Sequence, residues 1–212
     1  MQIIDFFDFI KDIYQKILNC DFNKELASGF LTKPAFERYM QQDSLYLVDF
    51  AKALAITATK SQNLKHFSQL LQLADGALMA ERELHHYYFK EFNIKPTDVK
   101  NNACIAYTNF LLTTAYANSY EESLVALLPC FYIYREVGNS IKKQSLSTNP
   151  YSMWITTYSG TEFSDAVDIM LNITQQAVLN ISPNSTKGIR LLELFKLSSE
   201  LELFFWNDSY IG

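Results

Sequence analysis

The sequence predicts an all-α protein, and three features of its residue pattern support this fold class. Apolar residues recur at spacings of three and four along nearly the whole chain, which is the period of an amphipathic helix. The alternation of apolar and polar residues that marks a strand is almost absent. Only six of 212 residues are glycine and five are proline, which disfavours a fold with many tight turns. Hydrophobic residues make up 49%, so we expect one domain over residues 1–212 with its own core.

Apolar periodicity and boundary residues divide the chain into eight predicted helices. Their expected ranges are 3–18, 34–58, 62–91, 97–116, 120–142, 150–158, 161–180 and 186–207. Pro34 suits the first turn of the second helix, where a missing backbone N–H breaks no helical hydrogen bond. The segment from Asn93 to Pro96 separates the third helix from the fourth, and Ser182 to Ser185 separates the last two.

Charge and targeting features exclude several classes of protein. The net charge is −5 with a pI of about 5.2, and no basic stripe is visible, so we expect no nucleic-acid binding. Acidic residues interrupt the apolar N-terminal stretch from Met1 to Asp8, which is unlike a signal peptide. No apolar run reaches the ~18 residues of a membrane helix. We therefore expect a cytoplasmic protein without a membrane partner.

Two acidic residues lie within apolar helical stripes, where a carboxylate is costly to bury. Asp43 lies four residues after Tyr39 and three before Tyr46 in the second predicted helix. Glu202 lies three residues before Phe205 in the last one. An unpartnered buried carboxylate costs several kcal/mol, so each acid needs a compensating partner. Either each belongs to a structural network, or the two acids share a functional pocket.

Cys130 is the candidate nucleophile among the three cysteines. It shares a helix face with Tyr134, four residues later, and follows Pro129, which removes a helical hydrogen bond. The alternative is a small buried hydrophobic residue, which is the usual role of a free cysteine. Cys20 and Cys104 have no such context. Three widely separated cysteines without CxxC spacing indicate neither a disulfide framework nor a zinc site.

A metal site is the competing interpretation of the residues around His85. Glu83 and His86 form one Glu-x-x-His half-motif of a di-iron site, but no second copy exists, because His66 lacks a glutamate three residues before it. Glu81 and His85, four apart on the apolar side, are expected to form a structural pair. We therefore expect no metal.

Six short blocks occur in the order and spacing of a known family. They are Phe36–Phe50, Glu81–His85, Ala106–Thr108, Leu127–Gly138, Trp154–Phe163 and Ser199–Trp206. Together they resemble the TenA family, also called thiaminase II or aminopyrimidine aminohydrolase. One departure is Cys20-Asp21-Phe22, which stands where the family usually has His-Pro-Phe. Cys130 places the chain in the cysteine-bearing group.

The resemblance implies a haem-oxygenase-like helical fold without haem, usually a homotetramer, and no cofactor. It also implies hydrolysis of 4-amino-5-aminomethyl-2-methylpyrimidine, and of thiamine more slowly, to the hydroxymethylpyrimidine of thiamine salvage. Two alternatives remain open on the residues alone: a non-catalytic pyrimidine-binding or regulatory protein, and an oxidase of the same fold.

The resemblance also implies residue roles. Cys130 would be the nucleophile, Glu202 the acid/base, and Asp43 the ligand of the 4-amino group and its neighbouring ring nitrogen. The pocket walls would be aromatic. They comprise Tyr46 and Tyr107, which flank the ring, with Tyr134, Tyr158 and Phe205.

Overall fold

The computed structural model describes residues 1–211, apart from the side chains of residues 80–82, and contains ten helices in that range. They are α1 Ile3–Phe9, α2 Lys11–Leu18, α3 Asp21–Ser28, α4 Lys33–Thr59, α5 Leu64–Phe92, α6 Asn102–Ala117, α7 Tyr120–Lys142, α8 Ser152–Tyr158, α9 Thr161–Val178 and α10 Thr186–Ile211. No residue from 1 to 211 lies in a strand, so the predicted all-α class is confirmed. Over the same range, no helix has the length and hydropathy needed to cross a membrane.

The observed helices differ from the predicted ranges at several points. The first predicted helix is interrupted at Ile10, whose backbone leaves helical geometry (φ −102°, ψ 10°) while its side chain enters the core. Helix α3 was not predicted; it ends at Ser28, and the next residue, Gly29, has a φ of 78°, the left-handed conformation that terminates many helices. Helix α6 begins at Asn102 instead of 97, because the Asn101 side chain caps it by accepting from the backbone N–H of Cys104 at 2.9 Å.

The long helices α4, α6, α7 and α10 enclose the core. Helix α10 packs against α4, α6 and α7, and α4 also packs against α5 and α6. Both tryptophans, Trp154 on α8 and Trp206 on α10, are fully buried. The ring of Trp206 lies parallel to that of Tyr39, with centroids 5.1 Å apart. Side chains from four helices therefore converge on one buried aromatic region.

Gly138 allows the short helix α8 to approach α7 closely. A Cβ atom at Gly138 would lie 2.7 Å from the carbonyl carbon of Tyr158, closer than real Cβ contacts come. The absence of a side chain there lets Tyr158 stand beside Tyr134, with ring centroids 4.9 Å apart. The glycine thus helps to place one wall of the aromatic region.

Candidate active site

Glu202 lies at the centre of the aromatic region, buried by the packing of α10 against α6 and α7. Its Oε1 accepts a hydrogen bond from the hydroxyl of Tyr107 at 2.8 Å. Burial is the main cause that raises the pKa of Glu202 from 4.5 to about 8, and the charge of Asp43 adds to it. Hydrogen bonds from Tyr107 and Cys130 act in the opposite direction. Glu202 is therefore mainly protonated at neutral pH and can donate a proton there.

Cys130 lies on α7 next to the Glu202 carboxyl group. Burial, followed by the charge of Glu202, raises the pKa of its thiol well above the ordinary value, whereas the hydroxyl of Tyr46 lowers it. That hydroxyl is buried and makes no hydrogen bond of good geometry with the described residues. The thiol is therefore uncharged at rest, and it needs a proton acceptor before it can attack.

Asp43 on α4 is paired with a residue that the sequence did not assign to the site. Its Oδ2 lies 3.1 Å from Nε2 of His85 on α5, and both side chains are buried. We expected His85 to pair with Glu81, but the side chain of Glu81 lies outside the described part of the structure. The sequence contains one indication of this contact. Asp43 and His85 are both polar residues on apolar stripes, and they lie in adjacent predicted helices.

The structure brings the three predicted reactive groups into one buried cluster. Relative exposures are 1% for Asp43, 8% for Cys130 and 1% for Glu202. The charge of Asp43 raises the pKa of both the Cys130 thiol and the Glu202 carboxyl group, which shows that the three groups share one low-dielectric environment. Such perturbed, coupled groups are typical of functional sites.

The predicted aromatic residues surround this cluster. Tyr46 lies 5.0 Å from Tyr107 and 5.7 Å from Phe205, measured between ring centroids. Tyr134 and Tyr158 lie next to each other, with ring centroids 4.9 Å apart, and all five residues are buried. A buried aromatic enclosure suits a flat, uncharged ring and strengthens its polar contacts.

Sequence reasoning missed Trp154 and Tyr39 as parts of the enclosure. The indole Nε1 of Trp154 donates to the hydroxyl of Tyr39 at 3.1 Å, and the Tyr39 hydroxyl lies 3.5 Å from that of Tyr134. These contacts join α4, α7 and α8 and fix the orientation of Tyr134. Both residues were within recognisable blocks, but periodicity alone marks them as ordinary core.

The residues that suggested a metal are not gathered. Within residues 1–211, excluding the side chains of 80–82, no group of three or more His, Cys, Asp and Glu side chains could hold an ion. Glu83 is exposed, and Nε2 of His66 lies 3.1 Å from Oε1 of Gln176 on α9.

Comparison with known families decides the classification. The sequence matches the description TENA/THI-4/PQQC family over residues 8–212. The chain belongs to this family.

Members of the TENA/THI-4/PQQC family with similar sequences and structures are known. A relative from Halalkalibacterium halodurans named aminopyrimidine aminohydrolase is 29% identical, over 93% of this chain and 90% of its own length. One of the same name from Bacillus subtilis is 29% identical, over 89% of this chain and 81% of its own. The solved structure of a TenA homologue from Pyrococcus horikoshii has a TM-score of 0.85 at 30% identity and covers 99% of both chains.

Proposed function

We propose that this protein is an aminopyrimidine aminohydrolase of the thiaminase II type, acting in thiamine salvage. It converts 4-amino-5-aminomethyl-2-methylpyrimidine and water into 4-amino-5-hydroxymethyl-2-methylpyrimidine and ammonia, and it cleaves thiamine more slowly. The observation that carries the proposal is the buried cluster of Cys130, Glu202 and Asp43 inside an aromatic enclosure. Relatives named aminopyrimidine aminohydrolase that align over most of the chain support the same activity.

The first step joins the sulfur of Cys130 to an electron-poor carbon of the pyrimidine ring. Glu202, protonated at neutral pH, gives its proton to a ring nitrogen as the S–C bond forms. The other carboxyl oxygen takes the proton of the thiol, so that Glu202 ends this step protonated again. The raised pKa of the thiol makes this coupled transfer necessary, because a free thiolate is scarce in the buried site.

The second half of the reaction exchanges the amine for water. Loss of ring aromaticity lets the C–N bond at the methylene break, and the amine takes the proton of Glu202 and leaves as ammonia. Water then adds to the exocyclic methylene and gives a proton back to Glu202. The S–C bond breaks, the ring nitrogen loses its proton as the ring regains aromaticity, and Glu202 relays a proton to the sulfur, which restores the Cys130 thiol.

Asp43 orients the ring for this chemistry. An ionised carboxylate makes a strong hydrogen bond to the 4-amino group beside the neighbouring ring nitrogen. The contact between Nε2 of His85 and Oδ2 of Asp43 fixes the orientation of this carboxylate. Tyr46 and Tyr107 flank the ring, and Tyr134, Tyr158 and Phe205 close the pocket.

The cellular setting is also part of the proposal. We propose a cytoplasmic homotetramer that needs no cofactor, as the family resemblance implies. Light scattering of the purified protein tests the assembly: a mass four times that of the 24.5 kDa chain supports it, and a monomer contradicts it.

Product analysis tests the proposed activity. Purified protein is incubated separately with the aminomethylpyrimidine and with thiamine, and the hydroxymethylpyrimidine is measured by mass spectrometry. Faster product formation from the aminomethylpyrimidine supports the proposal. Binding without turnover would favour the non-catalytic alternative, and oxygen uptake would favour the oxidase.

A further inference from the structure

Ser198 lies one helical turn before Glu202 on α10, and its hydroxyl has a fixed direction. Its Oγ lies 2.6 Å from the carbonyl oxygen of Ala126 on α7. Two oxygens at this distance need a hydrogen between them, and a carbonyl has none to give. The one proton of the Ser198 hydroxyl therefore points to Ala126. Towards any other neighbour, Ser198 can only accept.

The other neighbour of Ser198 is Tyr107, which has one proton and two possible acceptors. The Tyr107 oxygen lies 2.8 Å from Oε1 of Glu202 and 3.1 Å from Oγ of Ser198. When Oε1 carries no proton, Tyr107 donates to it. When Oε1 carries the proton, that proton can be given to the Tyr107 oxygen only if Tyr107 turns its own hydrogen to Ser198. The chain of donors then runs from Glu202 through Tyr107 and Ser198 to Ala126.

We propose that Ser198 is a positioning residue that lets the Tyr107 hydroxyl reverse its hydrogen bond, so that Oε1 of Glu202 can alternately accept and hold a proton. This inference rests on the proposed function, in which one proton leaves the carboxyl group of Glu202 and another arrives on its second oxygen. Because Tyr107, Ser198 and Glu202 are all buried, they are shielded from bulk solvent, and the stability of each proton position depends on the internal partner available to it.

Several other titratable groups also face Glu202 from the helices packed around it. They are Asp43 and Tyr46 on α4, Tyr107 on α6, and Cys130 and Tyr134 on α7. Ser198 is uncharged, and within the described residues its hydroxyl contacts the Tyr107 hydroxyl and the Ala126 carbonyl. Its removal therefore acts on the protonated form of Glu202 through Tyr107, without changing the surrounding charges.

Replacing Ser198 and replacing Tyr107 should shift the pKa of Glu202 in opposite directions. In Ser198→Ala, the protonated carboxyl group loses the arrangement in which Tyr107 accepts, so the pKa of Glu202 falls. In Tyr107→Phe, the ionised carboxylate loses its donor, so the pKa of Glu202 rises, in line with the lowering effect of the Tyr107 hydrogen bond. A purely structural role for Ser198 predicts lower stability with no such shift.

The test measures the midpoint of the alkaline decline in kcat/KM for Ser198→Ala, with Ser199→Ala as the matched control. Ser199 is equally buried on α10, but its hydroxyl donates to the carbonyl of Phe195 at 2.8 Å, outside the chain of donors. We expect Ser198→Ala to lower the midpoint by about one pH unit, as loss of one buried hydrogen bond implies. Ser199→Ala should leave this midpoint unchanged. In a protein that already carries Tyr107→Phe, adding Ser198→Ala should not shift the midpoint further.

A second measurement separates this inference from the proposed function. The pH dependence of the free energy of unfolding also reports the pKa of Glu202, and it needs no substrate. If the protein has no hydrolase activity, the proposed function fails while this measurement still tests Ser198. The inference is overturned if wild type and Ser198→Ala have equal midpoints. It is also overturned if Ser198→Ala shifts the midpoint as much in a Tyr107→Phe protein as it does in the wild type. Should Ser198→Ala not fold, the near-isosteric Ser198→Cys replaces it and shifts the midpoint in the same direction.

Discussion

Nε2 of His85 lies 3.1 Å from Oδ2 of Asp43, and the contact joins α5 to α4 at the edge of the candidate active site. Both side chains are almost completely buried, so the imidazole limits the orientations that the carboxylate can adopt. In the proposed function Asp43 binds the pyrimidine, so a residue that orients Asp43 also orients the pyrimidine. We therefore propose that His85 is a positioning residue that acts through Asp43.

Replacing His85 tests this positioning role. In His85→Leu, Asp43 loses a buried hydrogen bond and its fixed orientation, so we expect KM for the aminomethylpyrimidine to rise by about tenfold to a hundredfold. The effect on kcat is smaller, because Cys130 and Glu202 stay in place. His66→Leu is the control, since His66 on the same helix contacts Gln176 away from the site. Equal KM values for the two variants would contradict the role.

The raised pKa of Glu202 predicts how stability changes with pH. In the unfolded chain the carboxyl group loses its proton near 4.5, whereas in the folded protein it keeps the proton until about 8. Between these values the unfolded state binds fewer protons, so the free energy of unfolding decreases as pH rises, by at most about 1.4 kcal/mol per pH unit. Above about 8 this contribution is constant.

Urea unfolding of wild type and Glu202→Gln across this range measures that contribution. Glutamine cannot titrate, so the difference in unfolding free energy between the two proteins should grow in favour of the variant from about pH 5 to about pH 8. Glu193→Gln, a substitution of an exposed acid on the same helix, should follow the wild type. A difference that is independent of pH would show that Glu202 ionises normally.

Glu202→Gln should also lower turnover strongly. General acid–base groups typically contribute ~10²–10⁴ in rate, and an amide cannot exchange a proton with the ring nitrogen and the thiol. In the wild type, kcat/KM should fall as pH rises through about 8, because the proposed mechanism uses the protonated form of Glu202. A pH–rate profile checks both points. Activity that increases through this range would assign the active form to the carboxylate.

The close approach of α7 and α8 predicts different outcomes at two glycines. Gly138→Ala forces a Cβ against the backbone of Tyr158, so we expect a loss of about 1–3 kcal/mol in unfolding free energy together with lower activity. At Gly76, within α5, an added Cβ meets no atom within 4 Å. Gly76→Ala should therefore stabilise the protein by about 1 kcal/mol, the difference in helix propensity. Thermal and urea unfolding distinguish the two cases.

The long helices were predictable because each buries a wide apolar stripe over several turns. The eight residues of α3 were missed because Phe22 and Leu26, its large buried residues, make only one helical spacing. The interruption at Ile10 has a tertiary origin, since it lets two short helices turn their apolar sides inwards. Helix propensity and the spacing of apolar residues do not indicate how α1 and α2 pack against the rest of the protein.

The composition of the site was easier to predict than its hydrogen bonds. Asp43 and Glu202 stood out because a charged group on an apolar stripe needs a partner. The identities of those partners, His85 and Tyr107, depend on how α4 meets α5 and how α6 meets α10. The direction of the Ser198 hydroxyl depends further on a backbone carbonyl of α7, which no sequence pattern indicates.

Turnover of the aminomethylpyrimidine by Cys130→Ser tests most directly whether the sulfur of Cys130 is the nucleophile in this buried cluster. A serine hydroxyl in the same position ionises far less readily than the thiol, so we predict that the variant folds and binds the pyrimidine but forms no product. Cys20→Ser, which changes a buried cysteine outside the cluster, should retain wild-type turnover. Wild-type product formation by Cys130→Ser would contradict the mechanism.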